Sequence, residues 1–127
     1  MNRIHVLVGG KYAQNKMFQK LKSGKGTWWA TNLVNAGDRI LFYNVRPIKA
    51  FIGCCSAGHV FKSPDDGRWH LDISTCNDLV LFDPVVKGED VKKAVPGWHY
   101  PQSAGRIRNE VIAEEVWSLC CQGQTKL

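Results

Sequence analysis

The chain has 127 residues, 44% hydrophobic and 22% charged, with five Trp, five Phe and three Tyr. That supplies one good core and not two, and it excludes a disordered or fibrous chain. Lys and Arg outnumber Asp and Glu by 17 to 11, a formal charge of +6 with an isoelectric point near 9.2; such a field favours a polyanionic partner, nucleic acid foremost.

Ile4 to Val8 is a short apolar run closed by Gly9-Gly10, read as a buried first strand and a turn. Residues 11 to 23 place Met17, Phe18 and Leu21 at helical spacing with Lys16, Lys20 and Lys22 opposite, an amphipathic helix with a basic face ended by Gly24 and Gly26. Trp28-Trp29 follow in a strand or extended loop. Arg39 to Val45 is strongly strand-like, Pro47 interrupts, and Ala50 to Phe61 resumes, which predicts a hairpin of two long antiparallel strands with bends at Gly53 and Gly58. Ser63 to Gly67 is a turn. Trp69, Leu71 and Ile73 then alternate with polar residues before Leu79-Val80-Leu81-Phe82. Asp83 to Pro101 reads as a long functional loop with one short helical turn near Glu89 to Lys93. Ile112 to Cys121 reads as a last helix with Glu114 and Glu115 in its first turn.

These elements predict one α+β domain over 1–127: five or six strands in a curved antiparallel sheet or small barrel, packed by two or three helices, with residues 122–127 a flexible tail. No run approaches the roughly 18 apolar residues of a membrane span, and no charged start precedes an apolar stretch, so a cytoplasmic protein, or a nuclear one in a eukaryote, is expected.

Consecutive residues of an extended chain point to opposite faces, so of Trp28 and Trp29 one indole is expected in the core and the other in a binding site. The five cysteines fall as Cys54-Cys55, Cys76 and Cys120-Cys121. Adjacent cysteines neither make the usual metal knuckle nor pair readily with each other, and His59, His70 and His99 are scattered, so buried, reduced thiols and no metal or other cofactor are expected. A catalytic thiol at Cys54 or Cys55 with His59 is the weaker alternative.

The order of strand, helix, Trp28-Trp29-Ala30-Thr31, Gly37-Asp38-Arg39-Ile40-Leu41-Phe42-Tyr43-Asn44 and Ala50-Phe51-Ile52-Gly53-Cys54-Cys55-Ser56-Ala57-Gly58 resembles an EVE domain of the PUA-like superfamily, which also holds the YTH and ASCH domains. Trp98 and Ile112 to Val116 resemble the end of that pattern. The resemblance implies a non-enzymatic reader of modified nucleobases, a modified cytosine in DNA above all, that flips the base into an aromatic cage. Extrusion costs a few kcal/mol, and stacking returns about 1 to 3 kcal/mol per base.

Carried onto this chain, the resemblance makes Trp29 the first cage wall and Trp28 the packed indole, with Trp98 a second wall and Trp69 its rival. Ala30, Thr31, Asn32, Tyr43 and Asn44 complete the implied base pocket, the polar ones through edge hydrogen bonds. Lys11, Lys25, Arg46, Lys49, Arg106 and Arg108 are the expected phosphate contacts. Two rivals stand beside this reading: an RNA-binding domain for a methylated base, and an ASCH-like hydrolase of modified nucleosides. The hydrolase's Gly-x-Lys-x-x-Glu signature is here only Gly9-x-Lys11 without the glutamate. Whether a nuclease or restriction component acts in trans, and the oligomeric state, stay open.

Overall fold

The computed structural model describes residues 3–9, 14–45, 47–101 and 105–121. Among them the chain forms strands β1 (Ile4–Gly9), β2 (Thr27–Trp29), β3 (Arg39–Asn44), β4 (Ala50–Ser56), β5 (Val60–Lys62), β6 (Trp69–Asp72), β7 (Asn77–Lys87) and β8 (Gly105–Arg106). The helices are α1 (Gln14–Ser23), α2 (Gly88–Ala94) and α3 (Glu110–Cys121). The expected α+β class holds, with eight strands in two sheets.

The larger sheet runs β7-β4-β3-β1-β8 and the smaller β2-β6-β5. β1 and β3 are parallel, Ile4 opposite Arg39 through Gly9 opposite Asn44, so the larger sheet is mixed rather than antiparallel throughout. Its central strands read as unbroken apolar runs because both faces are covered. Ile4, Val6, Leu41, Tyr43, Phe51 and Cys54 face one core with α2 and α3, while Leu7, Ile40, Phe42, Ile52 and Cys55 face a second core with α1, Trp28 and Leu71. A signal of period two inside an all-apolar strand thus sorts residues between two buried layers.

Three expectations are corrected. The single strand expected over Ala50 to Phe61 breaks after Ser56. Ala57 turns to bond the Gly37-Asp38 turn, its N–H donating to the Asp38 carbonyl at 2.7 Å, and Gly58 passes so close to Thr75 that a Cβ would stand 2.2 Å from the Thr75 carbonyl oxygen. β5 is thereby handed to the second sheet. Asp83 to Lys87, expected as loop, extends β7 to 11 residues, because Val86 and Lys87 pair with Phe51 and Ala50 across an irregularity that absorbs the change of register. The last helix starts at Glu110, where Asn109 caps it by accepting from the Ile112 N–H at 3.1 Å, so Glu110 and not Glu114 occupies the first turn.

α1 buries Met17 and Leu21 and ends where Gly24, at φ +69, donates its N–H to the Lys20 carbonyl at 2.9 Å. The expected helix start at residues 11–13 and the expected tail at 122–127 lie outside the described residues.

Candidate nucleic-acid site

The tryptophan pair divides as two faces of one strand require. Trp28 is 0% exposed and packs on Phe42 with ring centroids 4.7 Å apart, whereas Trp29 is 39% exposed. Trp28 lies opposite Leu71 and Trp29 opposite His70 in the β2–β6 register. Cross-strand partners share a face, so Trp28 and Leu71 form the inner side of the small sheet and Trp29 and His70 the outer side. Trp69, two residues from Leu71, belongs by alternation to the inner side; it is 36% exposed, and its carbonyl accepts the Ala30 N–H at 3.0 Å. Ala30 and Trp69 are thus joined at the edge of the small sheet.

Asn44, 0% exposed at the end of β3, is buried on the side of the large sheet that faces Trp28 and Met17. Among the described residues neither its Nδ2 nor its Oδ1 has a hydrogen-bond partner, and the Nε1 of Trp28 is equally unpartnered. Gly9, opposite Asn44 in the β1–β3 register, makes the approach possible: a Cβ there would stand 2.4 Å from Asn44 Oδ1, 3.0 Å from Trp28 Cζ2 and 3.3 Å from Met17 Cγ. The open amide of Asn44 and the ring of Trp28, whose N–H is also open, thus both border Gly9. Each such group left unsatisfied costs about 1 to 3 kcal/mol, an expense the fold bears without a partner among the described residues.

The other residues singled out in the sequence fall elsewhere. Tyr43 is buried on the opposite face of the large sheet, edge-on to Phe51 at 5.0 Å and to Trp98 at 6.3 Å, and burial pushes its hydroxyl up to about 12. Trp98, 3% exposed, belongs to that core as well, so the large sheet separates it from Trp28 and Trp69. Thr31 uses its Oγ1 to accept the Leu33 N–H at 3.3 Å, and Asn32 is exposed. Arg106 and Arg108 do flank Trp98, with His99 and Asn109, around an open cleft of about 330 Å³. Lys49 lies beside that cleft's loop, its Nζ 4.6 Å from the Tyr100 ring centroid. Lys25 precedes β2 on the other side of the molecule. Lys11 and Arg46 lie outside the described residues.

Sequence reasoning missed Gly9, Met17 and His5. His5 is buried with Asp38, Nε2 to Oδ2 2.9 Å, and Asp38 also accepts the N–H groups of Arg3 and Asn35. Burial holds the His5 imidazole below its ordinary value despite the raising effect of Asp38. For Asp38 itself burial pushes upward, and the bonds from Asn35, His5 and Arg3 outweigh it, leaving the carboxyl low. The Gly-Asp element is therefore a clamp between the starts of β1 and β3. Its signal was present in the sequence as an acid after Gly37, whose φ is +89.

The cysteines are free thiols. Cys54 and Cys121 stand 3.8 Å apart, sulfur to sulfur, and burial and the Cys121 bond keep Cys54 protonated. Cys55 bonds Cys76, which lowers the Cys76 thiol to about 7 and raises Cys55. Among the described residues no group of three or more His, Cys, Asp or Glu could hold a metal, and no helix is long and apolar enough to cross a membrane.

Among the described residues, two sheets with three helices, a parallel β1–β3 pair at the centre and a small sheet packed across it define an α+β domain. Solved structures similar to it include ASCH proteins from Zymomonas mobilis: a single-residue mutant, with TM-score 0.64 and 15% identity over 93% of this chain and 96% of that one, and the ASCH protein itself, with TM-score 0.60 and 16% identity over 92% and 95%. At that identity the similarity establishes the fold. No protein-family model matches the sequence, and no curated protein does.

Proposed function

We propose that the chain is a nucleic-acid reader that seats a modified base, a modified cytosine of DNA flipped from the duplex, against Asn44 between the two sheets. The observation that carries the reading is the buried Asn44 amide with donor and acceptor both open beside the open Trp28 N–H. A primary amide presents N–H and C=O side by side, matching the N3 acceptor and N4 donor of cytosine as it matches the N7 and N6 of adenine. Trp69, 36% exposed, and Ala30 would supply an apolar entry, and alkylation of the base adds apolar surface to bury there. The formal charge of +6 supports an anionic partner, with Lys25 beside β2, and Lys11 and Arg46 two residues beyond Gly9 and Asn44, as phosphate contacts. Arg106, Arg108 and Lys49 form a second basic area by the Trp98 cleft. Tyr43 and Trp98 serve packing in this reading.

The test is fluorescence anisotropy with duplex DNA carrying 5-methylcytosine or plain cytosine, against matched single-stranded RNA, all at one salt concentration. The reading expects tighter binding of modified duplex and loss of that preference by about 5- to 150-fold in Asn44→Leu, the equivalent of 1 to 3 kcal/mol for one bidentate pair. Equal binding of modified and plain DNA by the unsubstituted protein overturns it. Preference for the RNA moves the substrate class, and consumption of a modified cytidine, lost in Lys11→Ala, replaces reading with hydrolysis.

A further inference from the structure

The outer side of the small sheet carries a row of flat rings, of which Trp29, Phe61 and His59 reach solvent and His70, 9% exposed, lies buried among them. His59 and Phe61 are stacked with centroids 5.8 Å apart and planes at 12°, and Phe61 and His70 are stacked at 5.9 Å and 27°. Phe61 lies opposite His70 in the β5–β6 register and His70 opposite Trp29 in the β2–β6 register, so all these rings stand on one face. Val60, Leu71 and Trp28 form the row that points inward. A face built from Trp29, His70, Phe61 and His59 needs no such rings for folding, since the apolar work is done by its other side.

We propose that this face is a platform on which the bases of single-stranded nucleic acid stack, separate from the Asn44 pocket. Aromatic faces in a row across adjacent strands bind unpaired bases without regard to sequence, because every base offers a π-face. Charge fits that occupant. Lys25 and Lys20 border the Trp29 end, Lys20 anchored through Nζ to the Thr27 carbonyl at 2.9 Å, and Arg68 lies in the turn that leads into β6. Two of the carboxylates near this face, Asp66 and Asp72, are already engaged, while Asp65 in the same turn as Asp66 is exposed. Asp66 accepts from the His70 Nε2 at 2.8 Å and from the Arg68 N–H at 2.8 Å, and Asp72 accepts from Ser74 through both its N–H and its hydroxyl. Cations thus stand at both edges of the face, and Asp66 and Asp72 are turned to internal bonds.

The platform does not depend on the pocket reading, and the experiment separates them. Fluorescein-labelled dT12 and rU12 are titrated with the protein at two salt concentrations, and with the Trp29→Ala, Phe61→Ala and Asn44→Leu variants, each checked for folding by its thermal melt. The expected result is binding that weakens with salt, falls about 5- to 150-fold in Trp29→Ala, falls again in Phe61→Ala, and is unchanged in Asn44→Leu. Trp29→Phe, which keeps a stacking ring, restores most of the affinity. The proposal is overturned if neither oligonucleotide binds, if the Trp29 and Phe61 variants bind as well as the parent, or if Asn44→Leu abolishes binding, which would place the strand in the pocket. It is also overturned if sedimentation shows a dimer that Trp29→Ala dissociates, since a second copy would then cover the face.

Discussion

Replacing Asn44 by Leu or Val should make the free protein more stable while removing its base preference. The side chain is 0% exposed, and neither polar atom has a partner among the described residues. Burying an unsatisfied amide costs about 1 to 3 kcal/mol per group, so the two open groups together cost about 2 to 6 kcal/mol. Leu removes that cost and adds buried apolar surface. Some of the gain is returned, because Met17, Trp28 and Gly9 already crowd the site and overpacking costs about 1 to 3 kcal/mol. Val, smaller and branched at Cβ, suits the strand and avoids most of the crowding. The better of the two variants is therefore expected to gain about 1 to 3 kcal/mol, which for a domain of this size raises Tm by roughly 4 to 12 °C. Urea titration with an unchanged m-value, paired with thermal melts, measures the gain. If both variants lose 1 kcal/mol or more at unchanged m, the amide is hydrogen-bonded in the free protein and the reasoning that makes it a binding group fails. A stabilised variant with unchanged base preference would keep the energetics and refute the function.

The two tryptophans should differ sharply: Trp28→Ala is expected to cost about 3 to 5 kcal/mol as a cavity in the second core, and Trp29→Ala less than about 1 kcal/mol, read by urea midpoints. Stability should fall with acid in a definite window. The unfolded chain takes up a proton at His5 near its ordinary value of about 6.5, above the value in the fold, so stability present above that pH is lost as pH drops. The low-held Asp38 extends the loss below about pH 4. His5→Leu should flatten the dependence between pH 7 and 5, and an unchanged slope would assign it to other groups. Among the thiols, Cys76 should be alkylated first by iodoacetamide, with a rate that titrates near pH 7, while Cys54, Cys55 and Cys120 stay protected. Peptide mass spectrometry follows each site, and uniform labelling would contradict the Cys55–Cys76 bond.

Local pattern in the sequence determined the α+β class, the amphipathic α1 with its glycine stop, the turn at Gly37-Asp38 and the opposite fates of Trp28 and Trp29. Each rests on periodicity or turn chemistry confined to a few neighbouring residues, which a single chain displays directly. Tertiary structure alone decided the rest. Whether Ala50 to Phe61 was one strand or two depended on Ala57 finding the Asp38 carbonyl and on Gly58 passing under Thr75, contacts between residues far apart in sequence. Asn44 and Trp98 both read as pocket residues, yet the large sheet divides them, because adjacent positions of a strand face different cores and only packing says which core holds the site. The row of Trp29, His70, Phe61 and His59 was invisible for the same reason, since cross-strand register brings together side chains from three separate segments.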